Sequence, residues 1–384
     1  MAGMKDVQTV TVTEEEKAYI HWLYQAVGMG NRGLLRSLEM IGAPRRIYQM
    51  AVSGELKEKV AKRYHNKISH VIECAADCDI QGEYERMKDR GVRMVTASEA
   101  DFPERLKEIP DPPYALYYVG RLPSAEHKAV AVIGARDCTE YGRYMAGQFG
   151  RELAQAGVQV ISGMARGIDG IGQQAALRAG GYSLGVLGCG VDICYPKENQ
   201  ALYEALIEQG GICSEYPPGI TPRAVLFPPR NRIISGVADA VLVIEAKEKS
   251  GTLITVDMAL EQGREVYALP GRGTDPLSRG CNRLIRQGAG LVSVPGELLE
   301  ELLADYRGAE EACQQELVFL EPEKQDILNL MDINPQSAAA LQQKYEEKYG
   351  GQIAFPRLLH ELLQLCADGY ARQVGGSYFA KCLR

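Results

Sequence analysis

Residues 129–170, AVAVIGARDCTEYGRYMAGQFGRELAQAGVQVISGMARGIDG, are the stretch that decides the fold. Two short apolar runs, AVAVIGA (129–135) and GVQVISG (157–163), flank a helical segment, YMAGQFGRELAQAG, that ends in Gly as helix C-caps do. The runs are apolar almost throughout, the pattern of strands covered on both faces. The rhythm continues in YSLGVLG (182–188), GGICSEY (210–216), AVLVIEA (240–246) and EVYALPG (265–271), with a weaker run at GLVSV (290–294). Helical segments IDGIGQQAALRAG, NQALYEALIEQG and LITVDMALEQG lie between several of them. Strands and helices alternating in this way predict an α/β domain built on a doubly wound parallel sheet.

On the N-terminal side, residues 14–60 read as short helices, with Gly28, Gly30 and Gly42 marking helix ends. This Gly-bounded pair resembles a helix–hairpin–helix or SAM-like unit, or equally a small packing module. The Pro-rich IPDPPYALYYVG predicts a lead-in strand and a turn. On the C-terminal side, EKQDILNLM, SAAALQQKYEEKY and FPRLLHELLQLCADG read as three helices, and ARQVGGSYFAK as two strands around Gly-Gly. That is the layout of a winged helix. The expected boundaries are a helical module over 1–84, the α/β domain over 85–300, an acidic linker over 301–316 and the winged helix over 317–384.

The composition is globular, with 46% hydrophobic and 24% charged residues, which excludes disorder, collagen and coiled coil. No apolar run reaches the ~18–20 residues of a bilayer span. The N-terminus lacks the apolar core of a secretory signal, and ten cysteines without a C-x-x-C pair read as reduced thiols, so a cytoplasmic protein is expected. His70, Cys74 and Cys78 are spaced by four on one expected helix face, without a fourth metal ligand. No metal, cofactor or hydrolytic triad is expected. The net charge of −7 speaks against a nucleic-acid partner until it is resolved by segment. Basic and acidic residues number 18 and 18 over 1–125, 17 and 19 over 126–300, 1 and 5 over 301–316, and 7 and 8 over 317–384. More than half of the deficit lies in the linker.

Ligands of open α/β sheets bind at the carboxyl ends of the strands. The segments following the strands are rich in Gly, Ser, Thr, Asn and Arg, a composition suited to phosphate at helix N-termini. Gly134 to Gly142 does not form G-x-G-x-x-G, and there is no G-x-x-x-x-G-K-[ST], so dinucleotide and P-loop chemistry are excluded. Across 126–300 there are 13 Arg against 4 Lys. Arg136, Arg166, Arg230 and Arg232 fall at strand exits, and a guanidinium grips phosphate bidentately where lysine cannot. Tyr195, beside Lys197 and Asn199, offers a stacking face.

The strings VIGARDCTEYG, SGMARGIDG, LGCGVDICYPKEN, SEYPPG, FPPRNRIISG, EAKEKSGTLIT and SRGCNRLIRQGA, in this order, resemble the DNA-processing protein A (DprA/Smf) family. The resemblance implies an extended Rossmann-like domain with a SAM-like module before it and a winged helix after it. It further implies a cytosolic single-stranded DNA-binding protein of natural transformation. Such a protein is not an enzyme; it protects incoming strands, helps load RecA and forms homodimers through the Rossmann-like domain. DNA contacts carry over onto Arg136, onto Ser162, Arg166 and Gly167, onto Lys197 and Asn199, and onto Arg230, Asn231 and Arg232. The chain departs from the family at Gly172 and Gln173, which stand where Ala and His are usual, and has Ala135 and Thr252 where Ser is common.

Two other readings compete. LPGRGTDPLS imitates the P-G-G-x-G-T signature of nucleotide-hydrolysing, lysine-decarboxylase-like enzymes, but Arg272 and Leu277 stand where the second Gly and the catalytic Glu belong. Asp169 is expected to cap a helix and Asp192 to order a turn. An adaptor whose outer modules bind proteins is the third reading. The winged helix, with its balanced charge, is read as a protein-contact or dimer-supporting module in preference to a duplex reader.

Overall fold

The computed structural model describes residues 12–28, 31–76, 78–303, 322–332, 334–350 and 353–382. The chain divides into two compact units, Met1–Tyr306 and Arg307–Arg384. Residues 304–316 of the expected linker lie outside the described residues.

The first unit is built on a nine-stranded sheet. Its strands are β1 (Arg93–Thr96), β2 (Ala115–Gly120), β3 (Ala129–Ile133), β4 (Gln159–Ser162), β5 (Ser183–Val186), β6 (Gly211–Ser214), β7 (Ala240–Val243), β8 (Glu265–Ala268) and β9 (Gly290–Leu291). They lie in the order β1-β2-β6-β5-β4-β3-β7-β8-β9. The strands from β6 to β9 are parallel, as the apolar runs require, while β1 and β2 add antiparallel beside β6. Sequence reading finds the lead-in strand β2 but not β1, whose four residues are too short to show a period. The chain passes outward from β3 through β4, β5 and β6, then returns to lay β7 on the other side of β3. The crevice at the carboxyl ends of β3 and β7 is therefore the topological switch point.

Alternation along β3 explains why it is apolar throughout. Ala129, Ala131 and Ile133 enter the core on one face, where Ile233, Val256 and Cys281 meet them. Val130 and Val132 face Met145, Phe149 and Leu153 of the helix Glu140–Gln155 on the other. Burying one such phenylalanine contributes about 2 to 3 kcal/mol. This helix begins where the Thr139 hydroxyl accepts from the Gly142 amide at 3.0 Å. The buried Glu245 carboxylate, just past β7, in turn accepts from the Thr139 amide at 2.9 Å. Helices Glu140–Gln155 and Ile168–Arg178 cross at two glycines: a Cβ on Gly150 would lie 2.2 Å from the Gly172 carbonyl oxygen. Gly172 therefore suits this backbone-to-backbone contact.

The segment FPPRNRIISG is itself a helix, Phe227–Gly236, with its prolines in the first turn where no amide partner is needed. Its two prolines and polar centre hide this from sequence reading.

The N-terminal helices Glu14–Val27, Arg32–Glu39, Pro44–Ser53 and His65–Ala76 share a core of Trp22, Leu23, Leu34, Leu38, Ile47 and Ile68. Cys78 falls beyond the last of these, so His70, Cys74 and Cys78 do not share one helix. The helix Ile80–Asp89 runs across residue 84, and Ile20 and Tyr24 join Met94 and Tyr117 in a core shared with the sheet. At this junction His21 Nδ1 and the Tyr117 hydroxyl are 3.0 Å apart, both buried.

The second unit contains helices Pro322–Leu330, Ala338–Tyr349 and Phe355–Ala367 and a three-stranded sheet in the order β10-β12-β11. Its strands are β10 (Gln336–Ser337), β11 (Ala371–Gly375) and β12 (Tyr378–Lys381). This is the winged-helix layout, with β10 added to the expected hairpin. Among the described residues no helix is long and apolar enough to cross a membrane, and no cluster of His, Cys, Asp or Glu is arranged to hold a metal.

Two predictions follow from the packing. Gly150→Ala should lower unfolding stability by about 1 to 3 kcal/mol in urea denaturation, because two helices must move apart. Burial pulls His21 down from 6.5 to about 4, so the native state holds it neutral while the unfolded chain binds a proton between those values. Its contribution, roughly 3 kcal/mol, is fully present above about pH 6.5 and is lost as pH falls toward 4. Urea titrations of wild type and His21→Gln should diverge across this window.

Candidate functional site

Five chain segments converge at the switch point: the turn after β3, the loop after β4, the loop after β5, the helix Phe227–Gly236 and the turn after β7. They enclose two adjoining hollows of ≈ 650 and ≈ 480 Å³. Arg136, Ala165, Tyr195, Phe227 and Arg230 line both and form the ridge between them.

The loop after β4 shows how the site is held. Its Met164 has φ of 54°, a left-handed conformation that costs a non-glycine residue on the order of 1 kcal/mol. Gln173 compensates: its Oε1 accepts from the Met164 amide at 3.1 Å, and its Nε2 donates to the Leu184 carbonyl at 2.9 Å. Asn199 Nδ2 donates to the carbonyls of Met164 and Ala165 at 3.0 and 3.1 Å. Gln173 is thus a buried brace, and a side chain with both a donor and an acceptor meets its two backbone partners directly. Asp169 also braces this loop, accepting from the Gly163 amide at 3.2 Å, and the cap position of its helix falls to Gly167 instead. Asp192 orders a turn, accepting from the Gly219 amide at 2.9 Å.

Gly167 has φ of 76°, and a Cβ there would lie 2.3 Å from the Ala135 carbonyl oxygen. Only glycine permits this approach, which draws the turn carrying Arg136 against the loop carrying Arg166.

Arg230 is buried at the centre of the site. Its Nη1 donates to the Gly163 carbonyl at 2.8 Å and to the Val186 carbonyl, and its Nε to Asn231 Oδ1 at 3.2 Å. Burial pulls the guanidinium down from its ordinary value, and the Asp169 charge opposes that pull. Burial likewise pushes the Asp169 carboxyl up, against the Arg230 charge and the hydrogen bonds it accepts. Phe227 is ringed by cations and an aromatic: Arg230 at 5.7 Å, Arg136 at 6.0 Å, and the Tyr195 ring stacked at 5.6 Å. Tyr195 is 41% exposed and offers its surface to the site.

Eight of the nine residues expected from sequence separate into two groups. Arg136, Arg166 and Lys197 are exposed on the hollows, Asn231 is half-buried on the larger one, and Gly167 heads a helix. Ser162, Asn199 and Arg230 hold the scaffold, the Ser162 hydroxyl donating to the Val132 carbonyl at 2.6 Å. Arg232 turns to the opposite side of its helix, where it pairs with Glu215 at 2.7 Å and Asp111 at 3.2 Å. Phe227, Arg223 and Lys247 also line the larger hollow but lie beyond the sequence-based set. An aromatic directly before Pro-Pro-Arg was the available signal for Phe227. Burial pushes the Cys189 thiol up to about 12, which favours its protonated form at neutral pH.

Residues 93–303 match the profile of the DNA recombination-mediator protein A family. Protein Smf of Escherichia coli (strain K12) is 38% identical over 295 residues, which cover 74% of this chain and 76% of that protein. The crystal structure of DNA processing protein A from Streptococcus pneumoniae aligns at a TM-score of 0.63 and 32% identity, over 74% of this chain and 98% of that one. Its Helicobacter pylori counterpart, described for its single-stranded DNA binding mode, aligns at 0.51 and 29%, over 56% and 97%.

The two groups should separate on substitution. Arg230→Met should cost about 3 to 5 kcal/mol of stability, since it strips partners from the carbonyls of Gly163 and Val186 and leaves Asp169 uncompensated. Gly163→Ala, whose Cβ would lie 2.7 Å from Arg230 Nη1, should destabilise in the same assay. Arg166→Ala should stay within about 0.5 kcal/mol of wild type.

Proposed function

The chain belongs to the DNA recombination-mediator protein A family, and from that premise we propose that it binds single-stranded DNA in the switch-point crevice and serves natural transformation. The observation that carries this reading is the Tyr195–Phe227 stack, with Tyr195 exposed and Arg136, Arg166 and Lys197 flanking it. Cations on a groove track a phosphate backbone, and an aromatic face accepts any base. Arg136, Arg166, Gly167, Lys197 and Asn231 touch the strand. Ser162, Asn199 and Arg230 fix the loops that present them, and Arg232 anchors the far side of the helix Phe227–Gly236.

The protein acts in the cytoplasm by binding rather than catalysis. In support, Asp169 is committed to the Gly163 amide and faces a buried guanidinium, which suits a structural carboxylate. It protects the strand and helps load RecA, and it works as a homodimer through the Rossmann-like domain. Strand β9 leaves one sheet edge open, with Leu291 and Val294 about half exposed there, a surface suited to a second copy. The expected domain boundaries, 1–84, 85–300, 301–316 and 317–384, form part of this reading, with the balanced winged helix in a protein-contact role.

Fluorescence anisotropy with a labelled dT oligonucleotide tests it. Affinity should fall linearly with log salt, and Arg136→Ala, Arg166→Ala and Lys197→Ala should each reduce the slope by about 0.7. Tyr195→Ala should weaken binding by about 1 to 3 kcal/mol with the slope unchanged. Wild-type affinity in all four variants would place the strand elsewhere, and release of free base from a nucleoside monophosphate would favour the enzyme reading.

A further inference from the structure

Residues 1–125 are neutral as a whole, yet their charge is unevenly spread. Lys57, Lys59, Lys62, Arg63 and Lys67 stand within eleven residues of one another against a single carboxylate, Glu58. All five cations are exposed. They occupy consecutive elements of the helical module: the short helix Leu56–Lys59, the turn Lys62–Tyr64 and the first turn of the helix His65–Ala76.

Several other cations nearby in the chain are paired. Lys17 pairs with Glu14 and Glu99, Arg45 with Glu15, Arg86 with Glu83 and Asp79, and Lys88 with Glu85 and Glu14. Among the described residues, none of the five has such a partner. Lys67 donates to Asn31 Oδ1, and Arg63 lies over the Tyr64 ring at 4.8 Å. Like charges this close repel one another, so the fold gains nothing by collecting them. A polyanion reverses the sign of that effect.

We propose that this corner of the helical module is a second nucleic-acid contact, made to the phosphate backbone of duplex DNA. The choice of duplex rests on what the corner lacks. A single strand is held largely through aromatic faces, and the one tyrosine of the segment, Tyr64, is half-buried with Arg63 over its ring. Four of the five cations are lysines, compact point charges without the planar fork that stacks on a base. Such a surface reads phosphates and not bases. Duplex DNA offers those at the highest density, roughly one charge per 1.7 Å of axis. The corner shares no residue with the switch-point crevice, so the two contacts are separable.

The full-length chain tests this by anisotropy with a short blunt-ended duplex and, in parallel, with a dT oligonucleotide. The triple variant Lys59→Ala/Lys62→Ala/Arg63→Ala should lose duplex affinity roughly tenfold or more at low salt and reduce the log-salt slope by about 2 to 3. Its dT binding should change much less, and its thermal melting should match wild type. Arg136→Ala/Arg166→Ala should show the reverse selectivity, which keeps failure here distinct from failure of the single-strand reading. No duplex affinity in wild type at low salt overturns the proposal, as does a triple variant that binds duplex unchanged. Loss of binding to phosphatidylserine vesicles with duplex binding intact would also overturn it, and would assign the corner to a membrane surface.

Discussion

A cation cannot be left unsolvated inside a protein, and the site is arranged around meeting that demand for Arg230. Its guanidinium lies where water is excluded, so it takes the carbonyls of Gly163 and Val186 in place of a hydration shell. Those carbonyls end two neighbouring strands, and the side chain ties their exit loops to the helix Phe227–Gly236. Residue 163 must then be glycine, because a Cβ would occupy the space of Nη1. Phe227, one turn earlier, covers the same charge and carries Tyr195 on its own face. One buried charge thus sets the positions of two loops, a helix and the aromatic stack.

The parallel strands were legible in the sequence because their burial on both faces leaves unbroken apolar runs, as in AVAVI. Strand β1 was not, since RMVT is too short to display a period and its place depends on β2. The helix Phe227–Gly236 was hidden by Pro228 and Pro229, which mark a turn in most contexts but here stand in the first helical turn. Sequence also could not separate Arg230 from Arg232. They are two residues apart, and a helix turns such neighbours some 200° away from each other. One therefore faces the crevice and the other Glu215. Gln173 illustrates the same limit: its departure from the family's usual His says nothing of role until its two backbone partners are in view.

Charge becomes informative only at the scale of the contact. The chain's excess of acid and the neutrality of its first 125 residues both conceal dense local arrangements. In the crevice, the exposed guanidinium groups are few and stand beside an aromatic stack, on loops that Arg230, Gln173 and Asn199 hold by hydrogen bonds, which suits recognition by shape. At the corner of the helical module, lysines are numerous and exposed, which suits attraction without fixed register. The two surfaces differ in the kind of order they impose on a polyanion, not merely in strength.

Arg232 extends this dependence beyond the crevice. Asp111 accepts from it and also from Arg36 of the helix Arg32–Glu39, so one carboxylate joins the helical module to the helix that bears Arg230. A lineage that shed the module would release Asp111 from Arg36 and leave Arg232 held by Asp111 and Glu215. A lineage that keeps it holds residues 111, 215 and 232 to one another, with residue 36 tied to them more loosely at the exposed end. The boundary between module and sheet is thereby a record of inheritance: whether these four positions drift singly or in concert tells whether the two parts have travelled together.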